Sequence, residues 1–212
     1  MTSVSAIKKQ LRVQLRAKSR ELLPDAVIRE SRRCCESLFG TDVYKASAAL
    51  SVYLSMGSGE VQTGDIISDA LAQRKRVFVP KVTGVGSQDM VMVEIFSLDE
   101  VNSFPKSKWG IPEPQLTSDF IDNTKNGVID LVICPGTGFD RAGNRLGHGK
   151  GYYDTFISTL ISSNAALSLS PPCTVGLALN FQLLEENVIP METHDRPLDF
   201  VITSDFTYCC KN

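Results

Sequence analysis

The stretch from Val132 to Asp154 constrains this chain more than any other: Val-Ile-Cys-Pro-Gly-Thr-Gly-Phe-Asp-Arg-Ala-Gly-Asn-Arg-Leu-Gly-His-Gly-Lys-Gly-Tyr-Tyr-Asp. It opens as a buried strand, passes through Gly136, Gly138, Gly143, Gly147, Gly149 and Gly151, and closes on Tyr152-Tyr153-Asp154, the first turn of an expected helix. Glycine at this density lets backbone N–H groups crowd round an anion without interference from Cβ atoms. Arg145 and Lys150 add fixed positive charge to the same loop. The expectation is a phosphate cradle, and the rest of the chain must say whose phosphate.

The flanking sequence supplies the scaffold. Residues 5–22 predict a helix, with Ile7, Leu11 and Leu15 on one stripe and Lys8, Arg12 and Arg16 on a second at the same spacing. The basic stripe is either a solvated face or a set of side chains reaching a polyphosphate. Lys9, Lys18 and Arg20 add further charge, and composition does not choose between the two readings. Pro24 suits the first turn of a second helix, whose inward face includes Cys34 and Cys35 as core residues, and Gly40 ends it.

Ala48–Leu54 predicts a strand, Thr63 an N-cap, residues 64–75 a helix and Val77–Pro80 a strand. Such a strand–helix–strand unit implies parallel pairing with a right-handed crossover, and ligands gather beyond the carboxyl ends of such strands. On that rule the loop Ser55–Glu60 faces a pocket, with Glu60 its only formal charge; an exposed loop acid is the alternative.

Further strands are expected over Met90–Phe96, Val128–Cys134, Val175–Leu179 and Phe200–Thr203, with a helix over Tyr152–Ile161 and a short one over Phe181–Glu185. Residues 97–127 are proline-rich and predicted irregular, and the lone Trp109 among them is either a plug over the core or a stacking platform. The tail with Cys209-Cys210 is expected to be loose. The prediction is one α/β domain over residues 1–212.

Bulk properties narrow the class. Lys and Arg number 22 against 24 Asp and Glu, a near-balance that argues against nonspecific nucleic-acid binding. Six cysteines include two adjacent pairs but no C-x-x-C, and His148 and His194 are the only histidines, so a zinc site is not expected. Neither a signal-peptide core nor an apolar run of roughly 18 residues is present. The expectation is a soluble, reduced, cytoplasmic protein without nucleic-acid or membrane partners.

Two familiar phosphate loops do not fit. A Walker A loop follows Gly-Lys with Ser or Thr, whereas Gly149-Lys150 is followed by Gly151. A dinucleotide fingerprint needs Gly-x-Gly-x-x-Gly, and neither Gly136-Thr-Gly138 nor Gly147-His-Gly149 completes it. The connection is also longer than ordinary strand-to-helix loops, which favours a functional loop.

Pro135-Gly136-x-Gly138-Phe139-Asp140 and Gly143-Asn144-Arg145-Leu146-Gly147-x-Gly149-Lys150-Gly151-Tyr152-Tyr153-Asp154 together resemble the signature of the 5-formyltetrahydrofolate cyclo-ligase (methenyltetrahydrofolate synthetase) family. Four further blocks in order carry the resemblance across nearly the whole chain: Lys8-Lys9-x-Leu11-Arg12; Tyr53-Leu54-Ser55-Met56 with Glu60 and Thr63; Trp109-Gly110-Ile111-Pro112-x-Pro114; and His194-Asp195-x-Pro197-Leu198-Asp199.

The resemblance implies a single three-layer α/β domain, like those of ribose-5-phosphate isomerase and CoA-transferase relatives, with a mostly parallel sheet and helices on both faces. It implies ATP- and Mg²⁺-dependent conversion of 5-formyltetrahydrofolate to 5,10-methenyltetrahydrofolate. Lys8, Lys9, Arg12 and the loop Arg145, Leu146, Gly147, His148, Gly149, Lys150, Gly151, Tyr152 and Tyr153 would meet ATP. Leu54, Met56, Glu60, Trp109 and Gly147–Tyr152 would face the folate. Lys150, Arg145 and Tyr152 would serve catalysis, and Asp154 and Asp199 would hold Mg²⁺.

One departure is His148, where many relatives carry a permanently charged Arg. Arg16, Lys18 and Arg20 stay with the solvated face. A reduced folate is the expected partner and a monomer the expected state. Two rival readings stand beside this one: a kinase-like ATPase acting on another small acceptor, and a non-catalytic folate- or nucleotide-binding protein.

Overall fold

A computed structural model describes residues 3–107, 110–118 and 120–210, so the reading of Trp109 lies outside the described residues. The chain opens with α1 (Val4–Glu21), capped by the Ser3 hydroxyl accepting from the Ala6 N–H, and α2 (Pro24–Gly40) with its proline in the first turn. There follow α3 (Asp42–Ala46), β1 (Ala49–Val52), α4 (Gly64–Ala72), β2 (Arg76–Val82), β3 (Met90–Ile95) and α5 (Leu98–Ser103). After a 3₁₀ turn come β4 (Leu131–Cys134), β5 (Gly138–Asp140), β6 (Arg145–Leu146), α6 (Tyr152–Ala166) and β7 (Cys173–Leu177). The chain closes with β8 (Leu183–Leu184), β9 (Phe200–Ile202) and β10 (Thr207–Cys209).

Seven strands form one sheet in the order β10-β9-β7-β4-β1-β2-β3. The five central strands are parallel, and β10 and β3 close the two edges antiparallel. Because successive side chains on a strand point to opposite faces, apolar residues at every position fill two cores. Leu50, Val52, Val77, Val79, Leu131 and Ile133 pack with residues of α2 and α4 on one face. Ala49, Phe78, Val132 and Cys134 pack with Phe156, Ile157 and Leu160 of α6 on the other. The expected mostly parallel sheet with helices on both faces is therefore present.

Four local expectations are corrected by the structure. The tail is not loose: β10 pairs with β9, with Tyr208 opposite Val201. The expected short helix over Phe181–Glu185 is a 3₁₀ turn over Asn180–Gln182 followed by β8. The glycine loop carries its own hairpin, β5 with β6, which joins β8 in a second, three-stranded sheet. Thr63 precedes α4 but its side chain does not cap it; the buried Oγ1 donates to the Tyr53 carbonyl at 2.7 Å. Cys34 and Cys35 are core residues, as expected, and all six cysteines are free thiols. No helix among the described residues is long and apolar enough to cross a membrane.

Candidate active site

A cavity of about 970 Å³ opens at the carboxyl ends of the parallel strands, where the strand–helix–strand rule places a ligand. Tyr53 and Leu54 enter it after β1, Pro80 and Val82 from β2, and Pro135, Gly136 and Thr137 after β4. The glycine loop from Arg145 to Asp154 forms one wall, and α1 lays Lys8, Arg12, Leu15 and Arg16 against the opening at helical spacing.

The glycines of the loop divide by task. A Cβ on Gly136 would come within 2.6 Å of the buried Phe139 ring, so that position is small to admit the ring. Gly149 and Gly151 have φ of +101° and +74°, conformations that L side chains rarely adopt, and both face the cavity. Gly151 is the N-cap of α6, and no side chain caps that helix. The first turn of α6 therefore presents its positive dipole end beside the cavity. The density of glycine pointed to a cradle, but part of it serves packing.

Arg12 donates from Nε to the Gly147 carbonyl at 2.8 Å, which ties α1 to the cradle. Arg145 is enclosed below the loop, its side chain 4 % exposed; it pairs with Asp154 at 2.9 Å and donates to the Pro135 carbonyl at 3.3 Å. Its guanidinium lies 5.5 Å from the centre of the Tyr153 ring, and its Nε is buried without a hydrogen-bond partner. Asp154 also accepts from the Arg196 N–H at 3.2 Å. Lys150 is exposed on the cavity wall, and the Tyr152 hydroxyl donates to the Gly84 carbonyl at 3.1 Å.

Glu60 is buried, so the loop acid is not a surface charge. Its Oε1 accepts from the Met56 N–H at 2.6 Å, yet desolvation outweighs that bond and lifts its pKa to about 7. His148 lines the wall, and its pKa is lowered by desolvation in the cleft and then by Arg16, Arg145 and Arg12. The neutral imidazole is favoured where a cation was the alternative.

Leu54, Met56, Glu60 and every residue from Arg145 to Asp154 thus gather at one cavity with Lys8 and Arg12. Three expectations change. Lys9 is exposed and does not line the cavity, because its neighbour Lys8 takes the inward position on α1. Arg16 is exposed, as a solvated face requires, but it also lines the cavity one turn beyond Arg12. Asp199 is not brought to Asp154: it is buried just before β9, where its Oδ2 accepts from the Thr174 N–H at 2.8 Å. Thr174 stands near the amino end of β7, so this carboxylate belongs to the other end of the sheet.

The residues missed in the sequence are Glu192 and Asp195, which receive the Lys8 ammonium at 3.2 and 2.5 Å. Among the described residues, Glu192, His194 and Asp195 form a group whose ligand-type atoms lie within 4.8 Å of one another. The Lys8 ammonium already serves the two carboxylates of that group. The block around His194-Asp195 was visible in the sequence, but nothing local signalled a partner at the opposite end of the chain.

Comparison with known proteins shows the family. Residues 4–204 match the model of the 5-formyltetrahydrofolate cyclo-ligase family. A 5-formyltetrahydrofolate cyclo-ligase of Mus musculus is 34 % identical over 203 residues, covering 96 % of each chain. A probable 5-formyltetrahydrofolate cyclo-ligase of Caenorhabditis elegans is 34 % identical and covers 95 % of each. The solved structure of Aquifex aeolicus 5,10-methenyltetrahydrofolate synthetase superposes with a TM-score of 0.73 at 25 % identity, covering 97 % of this chain and 94 % of that one. With a cavity built from the blocks that carried the resemblance and a family match over nearly its whole length, this chain belongs to the 5-formyltetrahydrofolate cyclo-ligase family.

Proposed function

We propose that this protein is an ATP- and Mg²⁺-dependent 5-formyltetrahydrofolate cyclo-ligase that forms 5,10-methenyltetrahydrofolate and releases ADP and phosphate. The observation that carries the reading is one cavity holding two kinds of wall: a cationic cradle of Arg12, Arg145, Lys150 and the start of α6, and a buried acid, Glu60, beside Leu54 and Met56. The first suits a polyphosphate; the second suits a flat, largely apolar ligand with a few polar edges.

A formamide carbon is a poor electrophile because its nitrogen donates into the carbonyl. ATP, when bound, supplies a phosphoryl group that turns the formyl oxygen into a leaving group, so that N10 of the same folate closes the five-membered ring. No covalent nucleophile is required of the protein, whose work is alignment and charge stabilisation. Lys150 and the uncapped turn at Gly151 offset charge on phosphoryl oxygens. Arg145 reinforces them from below, its direction fixed by Asp154. Glu60 accepts a hydrogen bond when ionised and donates one when protonated, and its pKa of about 7 makes both forms accessible near neutrality. Tyr152 and Tyr153 hold the loop that carries these groups, the former through Gly84 and the latter against Arg145.

Magnesium binds through one or two carboxylates together with substrate phosphates. Asp154 fits that chemistry, because each carboxylate oxygen keeps a lone pair beyond its bonds to Arg145 and Arg196 and the residue lines the cavity. Asp154 would hold the ion, which would neutralise phosphate charge there. Asp199 does not reach the same place.

The test is to incubate purified protein with ATP, Mg²⁺ and 5-formyltetrahydrofolate and follow the absorbance of the methenyl product. Product that requires all three components is the expected result. Folded protein that makes none would defeat the proposal. ATP turnover with another acceptor would then favour the kinase-like reading, and binding without turnover the non-catalytic one.

A further inference from the structure

The two histidines of the chain stand in opposite electrostatic surroundings. The His194 Nε2 lies 3.8 Å from Asp195 and 4.0 Å from Glu192, among acids. His148 stands among cations, between two glycines that lie against guanidinium groups. A Cβ on Gly147 would come within 2.8 Å of the Arg145 Nη1, and one on Gly149 within 3.5 Å of the Arg12 Cζ. Arg12 donates at 2.8 Å to the Gly147 carbonyl, the oxygen of the peptide that joins Gly147 to His148. Arg16 lines the same cavity one turn further along α1, and Lys150 follows His148 by two residues.

Among the described residues neither ring nitrogen of His148 has a hydrogen-bond partner, and the side chain is open to the cavity. The acids that line the cavity have other partners. Asp154 pairs with Arg145 and Glu113 with Lys81, each at 2.9 Å, while Glu192 and Asp195 meet the Lys8 ammonium. Glu60 is buried and accepts from the Met56 N–H. Desolvation in the cleft, then the charges of Arg16, Arg145 and Arg12, lower the His148 pKa. In the free protein the imidazole is therefore the favoured form.

A polyphosphate in the cradle reverses the sign of this field. Its oxygens offset the guanidinium charges that oppose the imidazolium, and each is an acceptor. A neutral imidazole offers one N–H and one lone pair, and a lone pair turned toward a phosphate oxygen is repelled. The imidazolium offers two donors, and a charge-assisted bond to phosphate is about twice as strong as a neutral one. Linkage makes the effect reciprocal: the factor by which the ligand favours the proton is the factor by which the proton favours the ligand.

We propose that His148 is the proton-linked member of the cradle, neutral in the free protein and protonated against a bound polyphosphate, so that binding takes up a proton at this ring. The inference rests on the proposed polyphosphate reading of the cavity. It makes affinity for the polyphosphate fall as pH rises, a dependence that the guanidinium groups, which keep their charge, do not supply.

The test follows the imidazole Hε1 resonances of the full chain by proton NMR as a function of pH, alone and with saturating inorganic tripolyphosphate. With only two histidines, loss of one resonance in His148→Asn assigns both. Tripolyphosphate binding is measured by calorimetry at about pH 5 and about pH 8 for the unaltered protein, His148→Asn and His148→Arg. The ligand's own titration is common to the three and cancels in their comparison. His148 is exposed, so both variants are expected to melt with the unaltered protein.

The His148 midpoint is expected below the ordinary 6.5 in the free protein and at least about one pH unit higher with tripolyphosphate. Between the two pH values the unaltered protein is expected to lose about tenfold more affinity than His148→Asn, the equivalent of that unit. His148→Arg should bind about tenfold more tightly than the unaltered protein at the higher pH and similarly at the lower. A midpoint that stays or falls on binding, or an equal loss of affinity in His148→Asn, would overturn the inference, even in a protein that makes the methenyl product. No tripolyphosphate binding at either pH would remove the polyphosphate reading and the inference with it. The expected rise without any methenyl product from ATP and 5-formyltetrahydrofolate would keep the role of His148 and remove the cyclo-ligase assignment.

Discussion

Asp154 and Asp199 look interchangeable in the sequence, two acids flanking apolar elements in two motif-like blocks, yet they finish at different ends of one sheet. Asp154 lies in the first turn of α6, after the loop that leaves β4, and is carried to the carboxyl end of the strands. Asp199 immediately precedes β9 and is fixed alongside Thr174 near the amino end of β7. In a parallel sheet, residues leaving a strand reach the ligand end, and residues entering a strand reach the opposite end. The two carboxylates also meet different partners: Asp154 answers a buried guanidinium, and Asp199 accepts from backbone N–H. The first faces a site, the second closes a sheet.

The largest effects should fall on the Asp154 side. Lys150→Ala is expected to abolish turnover without moving the melting temperature, because Lys150 is exposed. Asp154→Ala should also abolish turnover but cost about 3–5 kcal/mol of stability, since it strands the Arg145 charge in an enclosed position. Asp154→Asn keeps a hydrogen-bond acceptor for Arg145 and separates the two losses. Retained turnover in either position's variants, assayed on folded protein, would take that residue out of the mechanism.

Asp199→Ala is the counterpart. It should lower stability by about 1–3 kcal/mol in chemical denaturation, because the buried Thr174 N–H loses its acceptor, while kcat of the folded protein changes little. A loss of Mg²⁺ dependence in that variant would erase the distinction between the two acids.

Glu60 offers a third acid and a pH signature. Its folded pKa of about 7 stands above the ordinary 4.5, so between those values the folded protein holds a proton that the unfolded chain has released. The stabilisation is therefore complete below about pH 4.5 and lost as pH rises through 7, on the order of 3 kcal/mol in all. Glu60→Gln should flatten this slope in denaturant midpoints taken at pH 5 and pH 8; an unchanged slope would assign the pH dependence to other groups. The smallest effect is expected at Lys9, exposed beside the enclosed Lys8: Lys9→Ala should leave stability within about 0.5 kcal/mol and KM for ATP unaltered. A rise in that KM of about tenfold would contradict the orientation of α1.

Local signals account for the legible part of the fold. The helical spacing of Ile7, Leu11 and Leu15, the proline at the start of α2 and the apolar runs of β1, β2 and β4 are short-range patterns, and each became the expected element within a few residues. The cradle was visible because strand, glycine loop and helix are contiguous. The remainder depended on partners distant in sequence. Arg16 repeats the spacing of Lys8 and Arg12, but only the position of α1 against the loop shows that it too faces the cavity. The hairpin of β5 and β6 inside the glycine loop needed β8, some forty residues later, to complete its sheet.

By itself, then, the sequence determined an α/β chain with a parallel core, a glycine-rich anion cradle and the cations to go with it, because periodicity, glycine and charge act over one or two turns of chain. Tertiary structure alone decided which end of the sheet each acid occupies, that Glu60 is buried enough to hold a proton near neutrality, and that Lys8 and Asp195 meet. Those outcomes depend on desolvation and on distances between residues far apart in the chain, and both are set only when the sheet and the helices on its two faces have closed.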